Sequence, residues 1–326
     1  MYKSKLNVKE TQLAIQNLKF LFTKSLSKNL NLIRVSAPLF VRSKSKINDG
    51  LSGEDPVKFN PLNLNENLEI VHSLAKWKRE ALLKYQFDLH EGIWTDMNAI
   101  RQQEYIDYLH SYYVDQWDWE LIISDEERNI EFLKNIVKKI YKSIRYVENQ
   151  LIFDFPQLSK KLPDDITFIS SEELYKKFPS LSAEERENVF ARETKAFFVY
   201  KIGYPLEDNK VHSKRSFDYD DWNLNGDLIV YDKNNNKALE LSSMGIRVNA
   251  ESLLKQAKFD KKDKSFFGLY HENILNNKLP LTIGGGIGQS RLSMFLLEKK
   301  HIGEVQVSVW TEDEINKCKE ENIILL

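Results

Sequence analysis

Thr282-Ile-Gly-Gly-Gly-Ile-Gly-Gln-Ser-Arg291-Leu-Ser-Met-Phe-Leu-Leu297 sets a short apolar lead against four glycines in five residues, then a run of helical apolar spacing. The pattern is a strand entering a helix. Its glycines let backbone approach a bulky ligand and take φ > 0 where needed. The helix start offers free N–H groups and the positive end of a dipole to an anion. Arg291 adds a flat, permanent charge that can lie on an aromatic ring or fork onto phosphate oxygens. The spacing is neither the Walker pattern nor the GxGxxG dinucleotide fingerprint. Alone, the run fits a tight strand-to-helix turn as well as a nucleotide site.

Working outward, other segments read as antiparallel strands and helices. Gly92–Arg101 and Ser111–Glu120 are β-rich runs joined by a polar loop, and Asp227–Asp232 and Lys237–Leu241 flank an Asn-rich turn. Ala196–Ile202, Ile33–Val41 and Val305–Trp310 read as further strands. Leu13, Leu18, Leu21, Phe22 and Leu26 mark an N-terminal helix. Ile130, Leu133, Val137, Ile140, Ile144, Val147 and Leu151 form one continuous helical seam, and Ser182 with Glu185 makes a capping box. Regular βα alternation is missing. The expected fold class is therefore α+β, an antiparallel sheet with helices against one face, in a single domain over residues 1–326.

The 326 residues can bury a sizeable core, and 42 % hydrophobic with 29 % charged residues is an ordinary globular balance. A net charge of −1 recruits neither nucleic acid nor anionic membrane. No apolar run is long enough to span a bilayer. The first 47 residues hold ten Lys/Arg and one acid, Glu10, which we read as the solvated face of a helix rather than a transit peptide. One cysteine, Cys318, excludes an internal disulfide and suits a reducing, cytoplasmic location. It has no nearby histidine in sequence, so a thiol nucleophile is not expected. Position 2 is Tyr, so the N-terminal cysteine used by glutamine amidotransferases is absent.

Chemistry concentrates in a few segments. Along Ser111-Tyr-Tyr-Val-Asp-Gln-Trp-Asp-Trp-Glu120, alternation puts Tyr113, Asp115, Trp117 and Trp119 on one face and Val114, Gln116, Asp118 and Glu120 on the other. The second face can hold an ammonium group by charge-assisted hydrogen bonds, or be a solvated strand face. Asp227 and Glu240 fall opposite or nearly opposite each other at the open end of the second hairpin. Two such acids repel unless a cation relieves them. Mg²⁺ shared with phosphate oxygens would do so, and a solvated edge pair is the alternative. Ser242-Ser-Met-Gly-Ile-Arg247 then offers hydroxyls and an arginine for a small carboxylate. Lys76, Lys78 and Arg79 could bind anions or form a charged surface. His72 and His110 lack metal-ligand spacing and read as structural.

Asp49–Gly53, Val71–Arg79, Leu109–Glu120, Asp218–Trp222, Leu224–Val230, Glu240–Val248 and Thr282–Leu292 together resemble the ammonia-dependent asparagine synthetases, compact relatives of the class II aminoacyl-tRNA synthetase catalytic core. The turn between Trp222 and Leu224 is shorter than that pattern. The resemblance implies ATP-dependent formation of asparagine from aspartate and ammonia through β-aspartyl-AMP, with Mg²⁺, in a homodimer that engages neither nucleic acid nor membrane. It implies that Arg101 binds the α-phosphate and the attacked carboxylate, with Ser111, Gly286, Gly288 and Arg291 also at ATP. Asp227 and Glu240 then hold metal, and Lys78, Gln116, Asp118, Ser243 and Arg247 hold aspartate. Asp49 and Asp220 would hold ammonium or take its proton. A tRNA synthetase fragment lacks room for an anticodon-binding domain, and a catalytically inert regulator does not need these charged positions intact.

Overall fold

In the computed structural model, which describes residues 2–49 and 53–326, the helices are α1 (Val8–Leu30), α2 (Ala75–Lys84), α3 (Ile130–Asp154), α4 (Ser171–Lys177), α5 (Ala183–Thr194), α6 (Ala250–Phe259), α7 (Leu269–Leu275), α8 (Gln289–Leu296) and α9 (Glu312–Glu320). The strands are β1 (Leu32–Arg34), β2 (Phe40–Arg42), β3 (Lys58–Phe59), β4 (Leu68–Ile70), β5 (Gly92–Ile100), β6 (Tyr113–Ile122), β7 (Thr167–Ser170), β8 (Ala196–Tyr200), β9 (Asp220–Asp232), β10 (Lys237–Arg247) and β11 (Thr282–Gly288). Eight strands form one sheet in the order β1-β5-β6-β11-β10-β9-β8-β7, and β2-β4-β3 form a small second sheet. The six central strands are antiparallel, and only the edge pairs β1–β5 and β7–β8 are parallel.

Period-two alternation organises the layers. Trp117 and Trp119 of β6 point away from Gln116, Asp118 and Glu120, into the largest core cluster. There they meet α1, whose buried residues Ala14, Leu18, Phe22, Leu26 and Leu30 recur every four positions. The Phe22 ring lies 4.6 Å from that of Trp117, and burying one such ring contributes roughly 1.5–3 kcal/mol. Leu13 falls outside that stripe and is exposed. α3 adds its expected seam to the same core, buried from Leu133 to Leu151, with Ile130 half-buried against it. Asn7 and Ser182 cap α1 and α5 through capping boxes, as Ser182–Glu185 predicts.

Three expectations need correction. Helices cover both faces of the sheet: α1, α3 and α8 lie on the tryptophan side, whereas α2 packs on β5, β6 and β11 and α5 on β8, β9 and β10 from the other. Ile33–Val41 is two strands in different sheets, interrupted around Pro38, which has no N–H for a ladder. Val305–Trp310 joins no ladder, because it begins as the end of a 3₁₀ turn: the N–H groups of Val305 and Gln306 both donate to Ile302 O at 3.0 Å. The Gln306 side chain donates to Ser290 Oγ at 3.0 Å.

Among the described residues no helix is long and apolar enough to cross a membrane. Cys318 does have a histidine beside it: the donor atoms of His301, Glu314 and Cys318 lie within 4.8 Å of one another. Gly303 N–H donates to His301 Nδ1 at 2.9 Å, which leaves the Nε2 proton facing Glu314. No imidazole lone pair is left for a metal. Burial and Glu314 push the Cys318 thiol up to about 11, so it stays protonated and inert.

Candidate active site

The sheet face opposite the tryptophans carries a cleft of about 410 Å³, walled by β6, β11 and β10 together with residues before β6 and β9. Register explains its floor. Asp118, Gly286, Ser243 and Asp227 stand side by side across β6, β11, β10 and β9. Glu120, Gly284 and Gly245 form the next row. The glycines are needed because charged side chains lie flat over them. A Cβ on Gly284 would collide with Glu120 and fall 2.6 Å from Arg247 Nη2. One on Gly286 would collide with Gln116 Oε1 and lie 2.8 Å from Asp118 Oδ1. None of Gly284–Gly288 has positive φ, so the run supplies space and not an unusual backbone.

Alternation alone would put Glu240 on the face opposite Ser243 and Arg247. A register shift between Glu240 and Ser242 resets the parity, and all three line the cleft. The same shift makes the expected pairing nearly, not directly, opposite. Asp227 stands opposite Ser243, and Glu240 opposite Ile229, so the two acids are diagonal neighbours on one face. The short turn after Trp222 is a second irregularity inside β9, where Gly245 pairs with Asn225 and Arg247 with Asp220.

Two buried cations anchor one end of the cleft. Lys78, from the first turn of α2, donates to Gly285 O at 3.0 Å and sits 3.3 Å from Asp118 and 3.9 Å from Glu120. Burial lowers its ammonium pKa despite those carboxylates. Arg247 makes a fork onto Glu120, with Nε–Oε1 at 2.9 Å and Nη2–Oε2 at 2.7 Å, and its Nη1 bonds Asp220. That uses three of the five guanidinium N–H groups. Burial alone would raise Glu120, but Arg247 and Lys78 bring it below its ordinary range. Asp220 stays raised, since burial outweighs its bond to Arg247. Of the neighbouring cations, Lys76 pairs with Asp218 at 2.5 Å and Arg79 donates to Pro280 O and Val248 O. All three are buried, so the cluster is not a charged surface.

Asp118 Oδ2 receives Lys78 and the N–H of Leu74. Its Oδ1 converges with Gln116 Oε1 over Gly286, making a two-oxygen acceptor. Burial and the charges of Asp49 and Asp220 push the Tyr219 hydroxyl well above its usual value, which groups both acids around one phenol. Residues 50–52 of the Asp49–Gly53 segment lie outside the described residues. At the other end, Arg101, Arg291 and Glu240 face the cleft. Arg291 Nη1 donates to Glu240 O at 3.2 Å. Ser111 lines the cleft, but its hydroxyl contacts Gln306 Oε1 at 2.6 Å and Tyr113 O at 2.7 Å. The start of α8 is also occupied, because Ser290 N–H donates to Asp115 at 3.1 Å. His110 lines the cleft beside Asp107, whereas His72 is fully buried with neither ring nitrogen hydrogen-bonded.

Asp227 lies just behind the lining. Arg215, a residue the motifs did not flag, covers it with a close ion pair. Asp227 Oδ1 is buried without a hydrogen-bond partner. Glu240 is raised by desolvation and by the Asp227 charge, although nearly half its side chain is open to solvent. An orphaned carboxylate oxygen beside a second carboxylate fits a hard divalent cation such as Mg²⁺.

Residues 9–322 match the family model for aspartate-ammonia ligase. The chain is 54% identical to an aspartate–ammonia ligase of Clostridium perfringens (strain 13 / Type A), covering 100% of this chain and 97% of that one. It is likewise 54% identical to that of Ureaplasma parvum serovar 3, over 100% and 99%. Among solved structures, asparaginyl-tRNA synthetase from Pyrococcus horikoshii, complexed with asparaginyl-adenylate, superposes with a TM-score of 0.69 at 16% identity over 92% of this chain and 68% of that one. Aspartyl-tRNA synthetase from Entamoeba histolytica gives 0.62 at 14% over 91% and 58%. The fold is thus that of class II synthetase cores, and the chain belongs to the aspartate–ammonia ligase family, enzymes that make asparagine from aspartate and ammonia.

Proposed function

We propose that this ligase activates the aspartate β-carboxylate with ATP, forms β-aspartyl-AMP and pyrophosphate, and transfers the aspartyl group to ammonia with release of AMP. The observation that carries this reading is the division of the cleft. One end holds an ammonium acceptor and buried cations, and the other holds arginines and two carboxylates. A carboxylate does not acylate an amine directly, because its leaving group would be oxide. Attack of a β-carboxylate oxygen on the α-phosphorus expels pyrophosphate and turns that oxygen into part of a phosphate leaving group. Ammonia then adds to the β-carbonyl carbon, and the C–O bond to AMP breaks.

Gln116 and Asp118 receive the substrate's ammonium, as their converging oxygens support. Lys78, Ser243 and the two unassigned N–H groups of Arg247 hold its carboxylates. Arg101 bridges the attacking carboxylate and the α-phosphate, which positions both anions and stabilises the charge that builds on phosphorus. Ser111, Gly286, Gly288 and Arg291 complete the nucleotide site. A divalent cation on Asp227 and Glu240 would neutralise phosphate charge. Asp220, whose carboxylate burial makes a stronger base than usual, and Asp49 hold the incoming ammonium and take its proton. The enzyme acts as one domain and as a cytoplasmic homodimer, and the exposed Ile33 of edge strand β1 and Phe20 of α1 support a subunit contact. Incubation with Mg·ATP and aspartate, with either ammonium or glutamine, tests the chemistry. Asparagine and AMP should form one for one from ammonium and poorly from glutamine; asparagine formed with ADP would refute the adenylate.

A further inference from the structure

Arg215 belongs to residues 201–219, a long connection between β8 and β9 that holds no helix or strand. Loops of that length inside a domain commonly carry function. Its guanidinium lines the cleft with a side chain 12% exposed. Nη2 pairs with Asp227, Nη1 donates to Ser213 Oγ at 3.0 Å and Lys214 O at 3.2 Å, and buried Nε has no partner. Asp227 Oδ1 is equally unpartnered, and Glu240 lies diagonally across the strand pair. Glu240 already has Arg291 Nη1 4.0 Å from its carboxylate, whereas the counter-charge on Asp227 is Arg215. Neither member of the ion pair is fully satisfied by the other.

Resting on the adenylating reaction proposed above, we propose that Arg215 is an exchangeable counter-ion: it neutralises Asp227 without nucleotide and turns onto the phosphates when a divalent cation takes that carboxylate. Both steps follow from charge. A divalent cation and a guanidinium on one carboxylate repel at short range in a desolvated wall. The triphosphate supplies the anionic oxygens that a displaced arginine needs, and a guanidinium forks well onto phosphate. Metal and nucleotide would therefore bind with positive coupling, and the nucleotide-free enzyme would hold metal weakly.

The test is Mn²⁺ binding to the nucleotide-free, full-length enzyme, read from the electron paramagnetic resonance of free Mn²⁺. Arg215→Met should bind Mn²⁺ roughly tenfold to a hundredfold more tightly than wild type, because the competing ion pair is gone. Adding Asp227→Asn should erase that gain. The same Arg215→Met enzyme should lose aspartate-dependent ATP–pyrophosphate exchange, whereas a merely structural arginine would not tighten metal while weakening exchange. Arg215→Lys, which keeps a charge but not the fork, should fall between the two in Mn²⁺ affinity and covers the case of a variant that does not fold. Mn²⁺ affinity equal to wild type in both Arg215 variants would overturn the exchange. Tighter Mn²⁺ with unchanged pyrophosphate exchange would overturn the phosphate contact. Wild-type enzyme that makes asparagine without AMP would instead defeat the adenylate reading, and the Mn²⁺ comparison would still decide the role of Arg215 at Asp227.

Discussion

Arg247 shows how a single side chain is fixed in place. Buried and forked onto Glu120, with Asp220 on its remaining terminal nitrogen, it is held in one orientation. Thr282 Oγ1 donates to Glu120 at 2.7 Å and locks the acid as well. Arg101 is the contrasting case. It is half-buried, Glu104 lies 3.8 Å away, and among the described residues its buried Nε has no partner. It is therefore ready to take a new anion. Arg101→Ala should reduce adenylate formation on the order of 10²–10³-fold, the usual loss for one transition-state donor. Near-normal pyrophosphate exchange in that variant would refute its role. Asp49→Asn should abolish asparagine formation while sparing aspartate-dependent pyrophosphate exchange, because in the proposed pathway ammonia enters only the second half-reaction. Loss of both activities would assign Asp49 to the aspartate site or to folding.

At the scale of elements, β11 separates two uses of glycine. A Cβ on Gly286 would meet the side-chain oxygens of Gln116 and Asp118, which can swing aside. A Cβ on Gly285 would meet Met244 Cβ at 2.5 Å and the Ser243 carbonyl at 2.6 Å, where only backbone movement relieves the clash. Gly286→Ala should therefore raise the KM for aspartate about tenfold or more with little change in unfolding free energy. Gly285→Ala should destabilise the fold by roughly 1–3 kcal/mol. Equal effects on both quantities in the two variants would contradict this division. These elements also mark how far sequence reasoning reaches. The α3 seam and the Gln116/Asp118 face were legible because each follows a constant period. The parity break between Glu240 and Ser242 was not, since a bulge leaves no period to read. Val305–Trp310 alternates like a strand but finds no ladder partner. Arg215 and Asp115 matter through long-range partners, Asp227 and Ser290, that no local pattern announces.

Across the whole molecule, buried titratable groups make stability depend on pH, and their signs differ. His301 is fully buried, with Nδ1 accepting from Gly303 N–H and Nε2 facing Glu314. Protonating it would set two donors against each other at Nδ1. Burial lowers its pKa below the ordinary 6.5, and Glu314 offsets that only in part. The unfolded chain thus takes up this proton first as pH falls. Its contribution to stability is complete above 6.5 and declines between 6.5 and the lower folded value. Glu304 and Glu148, raised mainly by burial, act oppositely: their contributions are complete at low pH and decline as pH rises from 4.5 through the raised folded values. A plain pH–stability curve mixes these terms. Comparison with His301→Asn isolates the histidine, because asparagine can still accept from Gly303 at this capping position but does not titrate. Relative to that variant, wild type should lose stability as pH is lowered below 6.5, with a slope no steeper than about 1.4 kcal/mol per pH unit, the limit for one proton. Denaturant unfolding of both proteins from pH 8 to pH 5 measures the difference. A constant difference would mean that His301 titrates alike in folded and unfolded chains. A difference of the opposite sign would mean that Glu314, rather than burial, governs the imidazole.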